Sequence, residues 1–319
     1  MPEAFDVVVI GGGLRGLTAA LCAARSGLRT LVLERWFKPG GAALTEQVTL
    51  PGYLHNVRPF LAPSVPGLLG ELDQVFFLTP ATPVVIAGSG EDALRRLGLA
   101  GDSPFRIVSG GSGLLVQALQ KALYSHGGRV LNSRTVRRVI GEAGAVTAVE
   151  TDAGERIGCR LAIDTVPERT EFPYFGLHLA LAALPGDAAY PFCLATDDLV
   201  VVAPSAHDPP HAPPGRHAVS VFVPAPVAVD GDPRGWLRRE IRERWTEEAL
   251  RRFLALGNVL HRDDVLWTNA ATPFDLAWRF PALPMAGLTG GQSLTGLRLA
   301  RTAAELDGCL DELSALQRG

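Results

Sequence analysis

A chain of 319 residues is long enough for two domains, and its 47% hydrophobic residues supply a large core. A formal net charge of −3 argues against electrostatic nucleic-acid binding, for which a basic stripe is expected. No apolar run approaches the twenty or so residues of a membrane span, and the chain enters a strand at once, so the expectation is a cytoplasmic protein with neither signal peptide nor transmembrane segment.

The first element is Val7 to Ile10, a continuous apolar run suited to a parallel strand buried on both faces. A helix follows from Leu14 to Arg25, rich in small and apolar residues, and then a second strand, Thr30 to Leu33. Between strand and helix stand Gly11, Gly13 and Gly16 in GxGxxG spacing. The first permits the tight turn, the second lets the backbone approach a pyrophosphate, and the third allows close helix–strand packing; the helix N-terminus, through Leu14 and Arg15, adds N–H groups and a positive dipole end. Glu34 ends the second strand, where a carboxylate accepts from both ribose hydroxyls and disfavours a 2′-phosphate. Strand, turn, helix, strand and acid in this order point to a dinucleotide. Arg35 and then Pro39-Gly40-Gly41, leading to Thr45 and Glu46, bring a second glycine pair suited to close backbone approach.

Further along, Gly110 to Gly113 opens an apolar helix running to about Tyr124. Arg138 to Ile140, Ala145 to Glu150 and Arg156 to Cys159 alternate with turns, giving a three-stranded β-meander, and Leu161 to Asp164 returns as a parallel strand. Phe175 to Leu184, Leu199 to Val202 and His217 to Val223 suggest the strands of a second sheet, and Asp232 to about Leu256 a long helix with one buried stripe and a charged, solvated face. The proline-rich Ala203 to Gly215 is expected to be a rigid surface loop or an edge of the site. Cys22, Cys159, Cys193 and Cys309 lie far apart with no CxxC pair, so no metal site or dithiol centre is expected.

Taken together, Val-Val-Ile-Gly-Gly-Gly-Leu-Arg-Gly-Leu-Thr-Ala-Ala, Leu-Val-Leu-Glu-Arg, Gly-Gly-Ala-Ala-Leu-Thr-Glu and Leu50-Pro51-Gly52-Tyr53 resemble the phytoene desaturase-related FAD oxidoreductases, which share the amine oxidase and glutathione reductase type of FAD fold. Gly110 to Leu114, Gly128 to Val136 as one strand of the family, Pro214 to Val223, Pro273 to Leu276 and Leu283 to Gly291 carry the likeness through the middle to the end of the chain. The resemblance implies an α/β fold: a Rossmann-type FAD-binding domain with a parallel central sheet and β-meander, built from 1–48, 106–170 and 280–319, and a discontinuous α+β substrate domain with a mixed or antiparallel sheet, built from 49–105 and 171–279. It implies noncovalent FAD held at Gly11, Gly13, Leu14, Arg15, Gly16, Glu34, Arg35, Gly40, Gly41, Thr45, Gly287, Gly290 and Gly291, with the Val136 backbone against the adenine. No metal is expected.

Two departures qualify what the family implies. Relatives carry a helical cap between the regions matching Leu78 and Phe105, where this chain has a short connection, so the expected flavin site is open, with a homo-oligomer or a protein partner as its cover. The closing motif, Gly290-Gly291-Gln292-Ser293, is abbreviated. The reaction expected is hydride transfer between flavin N5 and a small, largely apolar metabolite, with His55, Arg58 and His178 as the candidates to orient or protonate it. A redox-neutral flavin-dependent isomerase or cyclase, and a partner-completed non-catalytic FAD-binding subunit, stand as the alternatives.

Overall fold

The computed structural model describes residues 4–57, 84–85, 108–167, 173–184, 193–256, 261–279, 288–289, 293–301 and 303–316. It is α/β, with a parallel central sheet and separate antiparallel sheets. The central sheet has five strands: β1 (Val7–Ile10), β2 (Thr30–Leu33), β6 (Arg129–Leu131), β10 (Leu161–Asp164) and β16 (Leu297–Leu299). Their order is β16-β10-β1-β2-β6, all parallel. Because β1 is followed by β2 on one side and flanked by β10 on the other, the chain reverses direction across the sheet between β1 and β10. Crevices for ligands open at such a switch point, outside the carboxyl ends of the strands.

One face of this sheet carries helices α1 (Leu14–Arg25), α2 (Ser112–Ser125) and α5 (Ala303–Leu316). Leu17, Leu21, Leu119, Leu123 and Leu313 pack there against Val7, Val9 and Ile163. The other face is covered by a meander of β7 (Val136–Glu142), β8 (Ala145–Thr151) and β9 (Arg156–Gly158). There Val136, Val139, Val146 and Val149 meet Val8, Ile10 and Leu31. Strands buried on both faces explain why β1 and β2 are uninterrupted apolar runs, whereas β7 and β8 alternate. The β7–β8 turn places Ala143 and Gly144 at positive φ, 50° and 79°, the twist that tight hairpins need.

The second sheet, order β15-β11-β14-β13-β12-β5, comprises β5 (Val84–Val85), β11 (Tyr174–Leu181), β12 (Cys193–Ala195), β13 (Val200–Val202), β14 (His217–Pro224) and β15 (Val265–Ala271). It is antiparallel except where β12 meets β5. On one face Phe175, Leu177, Leu179, Val219 and Val221 pack against Trp236, Ile241, Leu250 and Phe253, carried by helix α3 (Arg239–Leu256) and the turn before it. The opposite face carries Gly176, His178, Ala180, Ala218, Ser220 and Phe222, the alternate residues of the same strands. A two-stranded pair, β3 (Thr45–Glu46) with β4 (His55–Asn56), leads the chain from the parallel sheet to that face, and a short helix α4 (Pro273–Arg279) follows β15.

Three local expectations change. The long helix starts at Arg239, not Asp232, because Asp232 accepts the Arg234 N–H at 2.9 Å and Pro233 opens a separate 3-10 turn to Leu237. The strand expected over Gly128 to Val136 ends at Leu131: Ser133, with φ 54°, turns the chain so that Val136 opens the meander. The last helix is preceded by a strand, β16, that the sequence reading lacked. Among the described residues no helix is long and apolar enough to cross a membrane.

Candidate cofactor and substrate site

Gly11 begins the crevice, with φ +97° and its N–H on the Leu33 carbonyl at 2.9 Å. A side chain there would meet Thr165 Oγ1 at 2.9 Å, and that hydroxyl already donates to the Ile10 carbonyl at 2.8 Å. Gly16 is tighter still: a Cβ would lie 1.9 Å from the Gly11 carbonyl oxygen, so only glycine lets the first turn of α1 pass the loop. Gly13 differs, because a Cβ added there meets nothing within 4 Å. At this glycine α1 begins with no side-chain cap and no acid in its first turn. An N-terminus with positive dipole and N–H groups, facing open space, suits a diphosphate.

Glu34 closes the other side of the loop. Its Oε2 accepts the Gly12 N–H at 2.7 Å and its Oε1 the Trp36 N–H at 2.6 Å. Burial raises its pKa against the pull of those two N–H groups. Each carboxylate oxygen has a second lone pair, so the two bonds orient the group and leave acceptor capacity for a ribose. Gly40, at φ +132°, donates to the Gly12 carbonyl at 2.8 Å and pairs with Gly13, while the Cβ position of Gly41 touches only Gly13 Cα, at 3.4 Å. The two glycine segments therefore form a single wall. Arg35 lies beside them, donating to the Trp278 carbonyl at 3.0 Å. Arg15 sits on the first turn of α1, its pKa lowered by burial and raised by Glu305.

Thr45 faces inward. Its hydroxyl donates to Asn56 Oδ1 at 2.9 Å and accepts the Gly113 N–H at 3.0 Å, with Ser112 Oγ 3.3 Å away. This side chain ties the start of β3 to the N-terminus of α2. Glu46, next to it, bonds Lys38 and Arg279; burial raises its pKa, and those two cations outweigh burial and lower it.

On the second sheet, His178 and His55 come together although 123 residues apart in number. Their ring centroids are 5.3 Å apart and both are buried. His178 Nδ1 lies 2.8 Å from Ser220 Oγ, that oxygen lies 3.5 Å from His55 Nδ1, and His55 Nε2 lies 2.8 Å from Thr49 Oγ1. Burial pushes His178 down to about 4, and the Arg279 charge adds to it against Glu46. Burial, with His178 and His211 nearby, holds His55 well below the ordinary value. At neutral pH this is a line of uncharged proton donors and acceptors in an otherwise apolar face. Arg58, Gly287, Gly290 and Gly291 lie outside the described residues. Val136 is buried at the start of β7.

Three buried polar residues had no role in the sequence reading. Ser220 is the sole hydroxyl of an apolar strand, but only the antiparallel register, Ser220 opposite His178, reveals its partner. Asp164 is an acid closing an apolar parallel strand, the same signal that marks Glu34. Arg301 follows the unrecognised strand β16. Among the described residues no cluster of metal-ligating side chains is present.

The family model of FAD-dependent oxidoreductases matches residues 6–166, half of the chain. Thioredoxin reductase from Treponema pallidum is 30% identical over 128 residues, 33% of this chain and 41% of that protein. The chain thus matches less than half the length of this curated relative. An oxidoreductase from Methanosarcina mazei superposes with a TM-score of 0.64 at 15% identity, covering 98% of this chain and all of that one. A protein assigned as a protoporphyrinogen oxidase from Exiguobacterium superposes with a TM-score of 0.60 at 12% identity, over 100% of this chain and 99% of the other. At such identities the superpositions establish the fold.

Proposed function

This chain belongs to the family of FAD-dependent oxidoreductases, and from that premise we propose that it catalyses hydride transfer between noncovalently held FAD and a small, largely apolar metabolite. Bound FAD supplies a two-electron acceptor or donor for hydride. The observation that carries the reading is the cradle at Gly13: open space before an uncapped helix N-terminus, at the switch point of a parallel sheet.

The residues divide the work as follows. Gly11, Gly13 and Gly16 shape the loop for the diphosphate, and the N–H groups of Leu14 and Arg15 face it. Glu34 accepts from the adenosine ribose, and the Val136 backbone borders the adenine. Gly40 and Gly41, with Arg35 and Thr45 beside them, border the centre of the cofactor, and Gly287, Gly290 and Gly291 its ribityl end. These residues belong to an FAD-binding part formed by 1–48, 106–170 and 280–319; 49–105 and 171–279 form the substrate part. In the substrate part the apolar face around Gly176, Ala180 and Phe222 excludes water. His178 and His55, linked through Ser220, orient a polar atom of the metabolite and hold a proton without a buried charge; Arg58 is the third candidate for that work. A second copy or a protein partner covers the site, and the protein works in the cytoplasm.

The absorption spectrum of the purified protein tests this reading. Oxidised-flavin bands that bleach with anaerobic dithionite and return in air are expected, with turnover of an apolar donor. A colourless protein that takes up no added FAD would overturn it.

A further inference from the structure

Among the described residues the two most exposed large apolar side chains are Trp278, at 64%, and Phe37, at 61%. Although 241 residues apart in number, they are linked by a run of contacts. Arg35 Nη1 donates to the Trp278 carbonyl at 3.0 Å, and the Arg35 guanidinium lies 5.5 Å from the centre of the Trp278 ring. Trp36, next in the chain, has its ring 5.3 Å from that of Phe37 and 5.6 Å from the Arg279 guanidinium. Lys38 Nζ lies 5.4 Å from the Phe37 ring. Beneath these side chains the segment after Glu34 packs on α4 and the end of β15, through Trp36, Leu276, Ala277 and Ala271. The patch therefore sits where the parallel sheet meets the second sheet.

Its charge is opposite to that of the whole chain. The protein carries a formal −3, yet Arg35, Lys38 and Arg279 gather here around two acids. Glu46 is mostly buried between Lys38 and Arg279, and Glu34 is turned inward onto the Gly12 and Trp36 N–H groups. The excess is positive. A second copy meeting this corner about a two-fold axis would set the same cations against each other, which disfavours a homodimer through it. Protein hot spots sit in packed pockets, whereas Phe37 and Trp278 stand more than half exposed. Aromatic side chains projecting above arginine and lysine are the chemistry that enters the headgroup region of an anionic bilayer.

We propose that this corner is a peripheral membrane-docking surface. Phe37 and Trp278 insert among lipid headgroups, and Arg35, Lys38 and Arg279 supply the attraction to anionic lipid. The surface stands apart from the FAD reading; joined to that reading, it sets the junction of the two sheets against the phase that dissolves an apolar metabolite.

Co-sedimentation with vesicles tests the proposal, using phosphatidylcholine alone and phosphatidylcholine mixed in equal parts with phosphatidylglycerol. The wild-type protein is expected to pellet with the mixed vesicles, less with phosphatidylcholine, and less again at high salt. Phe37→Ser with Trp278→Ser is expected to lower partitioning about tenfold or more and, because both side chains are exposed, to keep the wild-type unfolding temperature. Lys38→Gln is expected to reduce the preference for the mixed vesicles. Brominated phosphatidylcholine in the vesicles is expected to quench tryptophan emission of the wild type, and Trp278→Phe to bind and lose most of that quenching. Undiminished binding by the folded double variant, or undiminished quenching in Trp278→Phe, would overturn the assignment; if the double variant fails to fold, the quenching decides. A wild-type protein that stays in the supernatant with both kinds of vesicle would also overturn it and leave the patch to a protein partner. Vesicle binding by a protein that takes up no FAD would keep this surface and sink only the cofactor reading.

Discussion

At the scale of single residues, two glycines of one loop separate folding from binding. A methyl at position 16 has nowhere to go, 1.9 Å from the Gly11 carbonyl oxygen. Gly16→Ala is expected to cost about 3 kcal/mol or more and to lower the unfolding temperature by several degrees. Position 13 has open space and φ −69°, which alanine adopts freely. Gly13→Ala is therefore expected to melt like wild type and yet to take up FAD more weakly, because the methyl occupies space meant for the diphosphate. Equal FAD affinity in Gly13→Ala and wild type, measured by fluorescence titration, would rule out the cradle. Glu34 joins both roles, since its carboxylate holds the Gly12 and Trp36 N–H groups. Glu34→Ala is expected to lose FAD affinity and about 1 to 3 kcal/mol of stability together; loss of stability with affinity intact would remove the ribose assignment.

At the scale of elements, what the sequence made legible was local. The β1-α1-β2 unit was readable because each apolar run, glycine and acid acts within a few residues of its neighbour. The meander was readable because its turns carry Gly144 and Gly154. What escaped depends on pairing across the chain. β15 and β16 are irregular or short runs, and they become strands only because β11 and β10 offer edges to them. Thr45 shows the same limit at the site: its composition suited a cofactor contact, but its hydroxyl is engaged by Asn56 and the Gly113 N–H, partners 11 and 68 residues away. Thr45→Val keeps the shape and removes those bonds. It is expected to cost about 1 to 3 kcal/mol and to speed amide exchange in the first turn of α2, readable by hydrogen-exchange mass spectrometry; unchanged protection of Gly113 and its neighbours would show that the hydroxyl does not hold the helix.

At the scale of the whole molecule, the parallel sheet and the second sheet meet through the β3–β4 pair, and the groups at that junction tie stability to pH. His178 titrates near 4 in the folded chain against an ordinary 6.5, and His55 is depressed in the same direction by burial. A histidine with a lowered folded pKa takes up its proton first in the unfolded chain. Its contribution is therefore intact above about pH 6.5, falls as pH drops from there toward 4, and levels off below. For His178 alone the loss across that window is about 3 kcal/mol. Asp208 adds to the trend lower down: burial raises it, but bonds from His211, the Gly110 N–H and Ser109 leave it below the ordinary carboxylate value, so its contribution is lost as pH falls through its folded pKa. Urea unfolding at pH 7.5, 6 and 5 is expected to show stability flat in the upper range and falling steeply in the lower. In His178→Asn, which keeps a hydrogen-bonding partner for Ser220, the fall between pH 6 and 5 should shrink by up to one proton's worth. An unaltered slope would mean that His178 is not neutral in the folded chain, and the uncharged His55–Ser220–His178 line would have to be abandoned as a description of the substrate face.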